Sequence, residues 1–462
     1  AEFMRAGLEP APGASGFFQN FPMTSATVDT EKTSLVVHWG ASSKTYQYGH
    51  DFGFPGQSNH QATITAPVVF AGYGISAPEY GYDDFAGVEM SGRIALVLSH
   101  EPQEDQVGSK FKGKWNTVHA YNRMKLENIR KHGAAGILIV NEWTSHRPPM
   151  TPSGPRPGTQ PNQWLASEFI DIPVFSISRE TANDILKSSN NTIEQLKDTI
   201  DHTGNPSTEG ITTTGPTGQQ IPVIATINKV LKDTKVVQTR NVVGVLPGTD
   251  PQLKNDYVLV TAHYDHVGTA GTRIYHGADD NASGTAGVLE IARAMARGPR
   301  PKRSVLFMVF EAEERGLLGA YQYAMHPLVP LKQTVAVLNM DMIGRDEDSP
   351  TWNTKAADNT NGVNIVGTLY NPDLRKVIEQ QNAGIALKLD YKTDGDDREG
   401  WFARSDHFPF AERAVPQVLF STGEHPDYHT EHDTWDRLDY PKMEKIVRLV
   451  YATARSLADS GQ

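Results

Sequence analysis

V-L-V-T-A-H-Y-D-H-V-G, residues 258–268, is an apolar run that breaks off into a polar cluster. The shape recurs at 305–319, V-L-F-M-V-F-E-A-E-E-R-G-L-L-G, and at 335–345, V-A-V-L-N-M-D-M-I-G-R. Short apolar runs of this length read as strands buried on both faces. Strands that end in acids and histidines suit an open α/β sheet, where sites form beyond the carboxyl ends of the strands.

Working outward, the chain alternates strand and helix from about residue 220. Strands fit 239–245, 257–262, 304–310, 334–340, 363–368 and 417–421; helices fit 283–296, 317–325, 373–383 and 441–457. The last helix carries Met443, Ile446, Val447, Val450 and Tyr451, a stripe of ordinary core packing. The fold expected is α/β, a mixed, mostly parallel sheet with helices on both faces. Upstream, a strand fits 34–38. P-V-V-F-A-G-Y-G-I at 67–75 and Y-D-D-F-A-G-V at 82–88 lead to a strand at 94–98, a helix at about 120–132 and a buried strand at 137–140. That order predicts a smaller α/β domain. Residues 144–165 read as a long loop and 203–219 as a boundary linker, both rich in Gly, Pro, Ser and Thr. The division expected is 1–61 as the N-terminal part of the larger domain, 62–205 as an insert, and 206–462 as the rest.

With 462 residues, the chain is too long for one ordinary core. Its net charge of −11 and lack of a basic run argue against nucleic acid as a partner. The absence of cysteine excludes disulfides, thiolate ligands and cysteine nucleophiles, so any metal must be held by His, Asp and Glu. No apolar stretch approaches membrane-spanning length, and no signal peptide is visible. The opening A-E-F-M-R-A-G-L-E-P reads as the end of a helix closed by Gly7 and Pro10, which implies residues ahead of Ala1.

Each polar cluster has an ordinary reading beside a chemical one. His263 ends its strand, and Asp265, two residues on, shares its side of the chain and could accept the second ring proton of a metal-bound imidazole. A strand-end His is otherwise simply solvated. Asp279 and Asp280, in H-G-A-D-D-N-A-S-G at 276–284, would ordinarily cap a helix. Adjacent carboxylates among such small residues also suit a cation, and one carboxylate can bridge two. Glu313 and Glu314 point in different directions, so one can bind metal while the other reaches a water. Helix-dipole compensation is the plainer explanation. Asp341 ends an apolar strand, where a carboxylate is costly unless paired or coordinated. In E-H-P-D-Y-H-T-E-H-D-T-W-D at 424–436, spacing does not choose among His425, His429 and His432. Together these residues make an N/O donor set suited to a co-catalytic pair of zinc ions and a base.

These residues resemble the co-catalytic zinc exopeptidases, a family that includes secreted bacterial aminopeptidases, glutamate carboxypeptidases and the transferrin-receptor ectodomain. The resemblance covers about 225–462. Residues 62–205 are similar to the protease-associated domain, through the 67–75 and 82–88 stretches and H-G-A-A-G-I-L at 132–138. The resemblance implies two Zn2+ ions: His263 and Asp341 on one, Glu314 and His429 on the other, Asp280 bridging, and Glu313 as general base. It selects His429 through the pattern Tyr-His-Thr followed by Asp-Thr. It implies that Asp265 orients His263, that Tyr428 polarises the scissile carbonyl, and that Arg404 in R-S-D-H-F-P-F stands near the tetrahedral intermediate. It also implies a cis peptide bond between Asp280 and Asn281, and an extracellular or periplasmic setting.

The reaction expected is removal of an N-terminal residue from a peptide. A carboxypeptidase needs a basic pocket for the terminal carboxylate, whereas Asp394, Asp396, Asp397 and Glu399 suggest an acidic rim. A glutamate-carboxypeptidase-like activity, a non-catalytic scaffold and a one-zinc cyclising acyltransferase are the alternatives. Trp401 and Phe402 are expected to line an apolar opening that favours Leu or Phe at the amino terminus, while Phe408 and Phe410 pack the core.

Overall fold

The computed structural model describes residues 1–55, 60–140, 162–165, 170–350, 353–394 and 400–461. The chain divides into two compact units, Ala1–Phe21 with Gln238–Gln462, and Pro22–Val237.

In the first unit, strands Ser304–Phe310, Tyr257–His263, Thr334–Met340 and Gln417–Ser421 lie side by side and parallel. The Leu231–Leu246 strand pairs antiparallel with Ser304–Phe310 at one end. At the other, Gly362–Val366 pairs antiparallel with Gln417–Ser421, and Lys388–Asp390 continues parallel to it. The sheet is therefore mixed and mostly parallel. The central strands are apolar because both faces are covered. Val258, Val260 and Ala262 pack with Val288, Ile291, Leu374, Ile446 and Val450 of helices Gly284–Arg297, Pro372–Asn382 and Tyr440–Asp459. Tyr257 and Leu259, one residue out of phase, pack on the other face with Ala320 and Tyr323 of Leu318–Met325 and Phe410 of Phe408–Ala411. Each Val, Leu, Ile or Phe among them contributes about 1.5–3 kcal/mol on full burial. Register pairs His263 with Phe310 and Met340 with Phe420, so the parallel strands finish at one edge.

The second unit is built on a sheet in the order Ser42–Tyr46, Ser34–Trp39, Ile224–Lys229, Ala62–Ala71, Ile94–Leu98, Gly136–Val140, Val174–Ile177, Phe52–Gly53. Helices Asn122–Lys131, Arg179–Leu186 and Ile193–Thr203 complete it. Its limits differ from the 62 and 205 read from sequence. Ile224–Lys229 pairs with both Ser34–Trp39 and Ala62–Ala71, which draws the flanking stretches into the unit. Residues 203–219 are not a free linker, since Thr208–Gly210 extends the Ala62–Ala71 strand pairing and Thr212–Thr214 forms a hairpin with Gln220–Pro222. Within the stretch read as a loop, Asn162–Leu165 is a strand paired with residues 23–26, and 144–161 lie outside the described residues. Among the described residues, no helix is long and apolar enough to cross a membrane.

Candidate metal centre

The carboxyl edge of the first unit's sheet gathers His263, Asp280, Glu313, Glu314, Asp341 and His429. His263 is the last residue of its strand and fully buried. Asp341 follows Thr334–Met340, with its neighbour Met342 at φ 56°. Glu313 and Glu314 follow Ser304–Phe310 through Ala312 at φ 59°, and their backbone N–H groups donate to the Asp265 carboxylate at 3.0 and 3.3 Å. His429 itself stands at φ 54°. Left-handed backbone at non-glycine residues is costly and collects at functional sites.

Asp280 stands in a non-helical turn ahead of Gly284–Arg297, and the Asp280–Asn281 peptide bond is cis. The Asp433 carboxylate accepts the N–H groups of Asp279 (2.9 Å) and Asp280 (3.1 Å). Asn281 donates from Nδ2 to the Met340 carbonyl at 3.0 Å and accepts the Gly284 N–H at 2.9 Å. Gly284 permits this approach, because a Cβ there would stand 2.4 Å from the Met340 carbonyl oxygen.

The Asp280 carboxylate faces two groups of donors. Its Oδ1 is 3.3 Å from His263 Nε2, which is also 3.3 Å from Asp341 Oδ1. Its Oδ2 is 2.9 Å from His429 Nε2, which lies 3.2 Å from Glu314 Oε2. Donors held about 2.0–2.2 Å from one tetrahedral ion stand roughly 3.3–3.6 Å apart, close to these separations. His429 Nε2 and Glu314 Oε1 are buried and make no hydrogen bond despite their close neighbours. They converge on shared points instead of aligning on one another, and the residues present fit a pair of metal ions.

Electrostatics agree. Burial opposes charge on His263, but Asp341, Glu313, Asp265 and Asp280 outweigh it and hold the imidazole well above its usual 6.5. Burial lifts Glu313 well above 4.5; His263 opposes the rise, while Asp341, Asp406 and Asp280 add to it. Against burial, Asp280 and Glu314 raise His429 to about 9. A pocket with this many buried acids favours bound positive charge.

The surrounding contacts hold the donors in place. Ser405 Oγ donates to Asp341 Oδ2 at 2.6 Å and accepts from Asn339 Nδ2 at 2.8 Å, while Thr261 Oγ1 donates to Asn339 Oδ1 at 2.8 Å. The carboxylate of Asp265 is turned to the Glu313 and Glu314 amides, so it is the Asp265 backbone carbonyl that lies nearer His263 Nδ1, at 3.2 Å against 3.6 Å for Oδ1. His425 is buried against Asp279, its Nε2 3.2 Å from Oδ2, and His432 is exposed. Sequence reasoning passed over His266, Asp433 and Ser405. For His266 the signal was there, in the 258–268 stretch itself.

A cavity beside the cluster is lined by Asp280, Glu313, Asp341, Met342, Trp401, Arg404, Leu419, Glu424 and Tyr428. Arg404 Nη1 pairs with Glu424 Oε1 at 3.0 Å, and its guanidinium lies 5.1 Å from the Trp401 ring centre. The Tyr428 ring stacks on His429 at 3.9 Å. Burial and the nearby Asp280 raise the Tyr428 phenol above its ordinary pKa. Phe402, expected at the opening, is instead core, packed on Tyr370 and Phe408. Phe410 is core as expected. Asp394 is no rim residue: it is buried and accepts from Thr368 Oγ1 at 2.6 Å. Asp396, Asp397 and Glu399 lie outside the described residues.

Residues 241–454 match the model of Peptidase family M28, and residues 64–185 that of the PA domain. The first unit thus carries an M28 peptidase domain, with a PA domain inserted ahead of it. Aminopeptidase YwaD of Bacillus subtilis is 25% identical over 391 residues, 82% of this chain and 66% of that protein. Leupeptin-inactivating enzyme 1 of Streptomyces exfoliatus is 30% identical over 198 residues, 42% of this chain and 39% of that protein. The chain therefore spans just under two thirds of the first relative and well under half of the second. Among solved structures, BSAP, a zinc aminopeptidase from Bacillus subtilis, is 20% identical with a TM-score of 0.44, covering 100% of this chain and 88% of its own.

Proposed function

We propose that the chain is a zinc-dependent aminopeptidase that hydrolyses the N-terminal peptide bond of peptides with two co-catalytic zinc ions. The observation that carries this reading is Asp280, whose two carboxylate oxygens each face a separate His and acid pair. His263 and Asp341 would hold one ion, Glu314 and His429 the other, and Asp280 would bridge them. When bound, such a pair polarises the scissile carbonyl and lowers the pKa of a bound water towards about 7.

The chain's own groups do the rest. Glu313 lines the cavity, with Oε2 3.9 Å from His263 Nε2, and serves as the general base. It takes a proton from the attacking water and returns it to the leaving amine. Tyr428 donates its hydroxyl to the carbonyl oxygen as negative charge develops there. Arg404 lends positive charge to the same wall of the cavity.

The cavity favours a free amine over a carboxylate. Among the described residues lining it, the basic one is Arg404, and Glu424 already pairs with it. Asp280, Glu313 and Asp341 supply negative charge to the wall. The relative named aminopeptidase supports the same direction.

The test is hydrolysis of aminoacyl-anilides alongside peptides blocked at the amino terminus. Anilide cleavage should vanish on chelation and return with zinc, and blocked peptides should stay intact. Full activity in metal-free protein sinks the metal reading. Preferential cleavage of blocked peptides from the carboxyl end sinks the aminopeptidase reading.

A further inference from the structure

The two donor groups at Asp280 are unequal. On the His263 side stand His263, Asp341 and one oxygen of Asp280, with Glu313 farther out at 3.9 Å. On the His429 side a further residue joins, and His266, Asp280, Glu314 and His429 bring their donor atoms within 4.8 Å of one another. His266 Nδ1 lies 2.9 Å from Glu314 Oε1 and 3.6 Å from Asp280 Oδ2. The His266 ring is set at 73° to that of His429, centroids 5.5 Å apart, so two imidazoles approach the same carboxylates from different directions.

His266 is built in. Its side chain is 10% exposed, and neither ring nitrogen makes a hydrogen bond. Its Nδ1 comes within 2.9 Å of Glu314 Oε1 without forming a hydrogen bond. Gly277, at φ 62°, makes room for the ring: a Cβ there would stand 2.6 Å from His266 Cγ and 2.4 Å from the Asp280 carbonyl oxygen. A buried imidazole normally finds a partner, and one whose nitrogen aims between two carboxylates and another imidazole is placed as a ligand.

We propose that His266, through Nδ1, is a fourth protein donor at the second metal position, an inference that rests on the two-zinc reading above. Structural zinc sites are closed by four protein donors, whereas catalytic ones keep an open position. The second position is therefore the closed, slowly exchanging one and anchors the bridging Asp280. The first, with three protein donors, keeps the open position beside Glu313.

The experiment uses the full chain loaded with zinc, with His266→Ala and His266→Gln variants, each checked for cooperative unfolding. Zinc content is followed during graded chelation, and X-ray absorption at the zinc edge reports imidazole ligation. The wild-type chain should release one ion at least ten-fold faster than the other. His266→Ala should erase that difference and lose one of three imidazoles per chain, and His266→Gln should restore neither. An unchanged imidazole signal in His266→Ala overturns the proposal, even if retention falls, because it makes His266 only a packing neighbour of Glu314. Wild-type retention in His266→Gln overturns it too. A wild-type chain that binds no zinc overturns instead the two-zinc reading beneath it.

Discussion

Both units bury charge, and they do so to opposite ends. In the second unit Asp84 is fully buried and accepts the N–H groups of Tyr73 and Ile75, each at 3.0 Å, and the Tyr82 hydroxyl at 2.8 Å. Lys125, also fully buried, donates to the Tyr73 carbonyl at 2.8 Å, and Glu101 accepts from Thr117. Gly72, at φ 52°, makes the cluster possible, since a Cβ there would fall 2.1 Å from Asp84 Oδ1. That cluster is closed on itself. In the first unit, Asp280, Glu314, His266 and His429 crowd together, yet His429 Nε2, Glu314 Oε1 and both nitrogens of His266 make no hydrogen bond. Burial of charge is thus common to both, and only the first unit's arrangement invites a ligand. Unsatisfied donors that converge mark a site; satisfied ones hold a fold.

The comparison can be broken from either side. The largest effect belongs to Glu313, which acts as base without being proposed as a ligand. Glu313→Gln should lower the rate by about a hundred- to ten-thousand-fold and leave zinc content unchanged. Loss of one zinc in that variant would mean that the roles of Glu313 and Glu314 are exchanged.

Next comes the closed cluster. Asp84→Ala leaves the Tyr73 and Ile75 amides and the Tyr82 hydroxyl without their acceptor and removes the negative charge near Lys125, and should cost the second unit about 3–5 kcal/mol in unfolding free energy. Zinc content should not move. Denaturant melts with metal analysis measure both, and a variant that unfolds like wild type would show the cluster to be dispensable.

A smaller effect is expected in the choice of substrate. Trp401, Leu419 and Met342 give the cavity an apolar wall, and burial rewards about 0.8 kcal/mol per methylene. Leu or Phe at the amino terminus should be cleaved roughly ten-fold faster than Ala, a gain of about 1.4 kcal/mol in the barrier, and Trp401→Ala should narrow the gap. A profile that favours Glu or Asp refutes this and returns weight to a glutamate-carboxypeptidase-like reading.

The smallest concerns pH. Burial holds His119 below its usual 6.5, against the opposing pull of Glu79, its partner at 2.7 Å. A folded pKa below the unfolded one means that the unfolded chain takes the proton first. Stability should be intact above about 6.5 and decline as pH falls through the folded value. His119→Gln should flatten the loss as pH falls below about 6.5, seen as melting curves that shift less than those of wild type. Equal shifts in both would rule the group out.

Local chemistry alone determined much of this protein. The bounds of Ile94–Leu98, Ser304–Phe310, Thr334–Met340 and Gln417–Ser421 are legible as they stand, because each is a short apolar run cut off by charge, Gly or Pro. The polar residues at those cut-offs announce a site, since a parallel sheet must put them on one edge. What needed tertiary structure is everything that depends on partners distant in sequence. The limits of the second unit follow from Ile224–Lys229 pairing with strands near residues 35 and 65, and no local pattern encodes that register. Phe402 reads like an opening residue and is core because Tyr370 and Phe408 close over it. Asp394 reads as rim and is buried on Thr368. His425, His429 and His432 share one loop and one chemistry, and only the fold turns His425 to Asp279, leaves His432 exposed, and brings His429 to Asp280 and Glu314. His266 is the sharpest case. Its stretch of sequence carries polar candidates, but its place among the donors depends on Gly277, eleven residues further along, which leaves a Cβ-sized space for its ring.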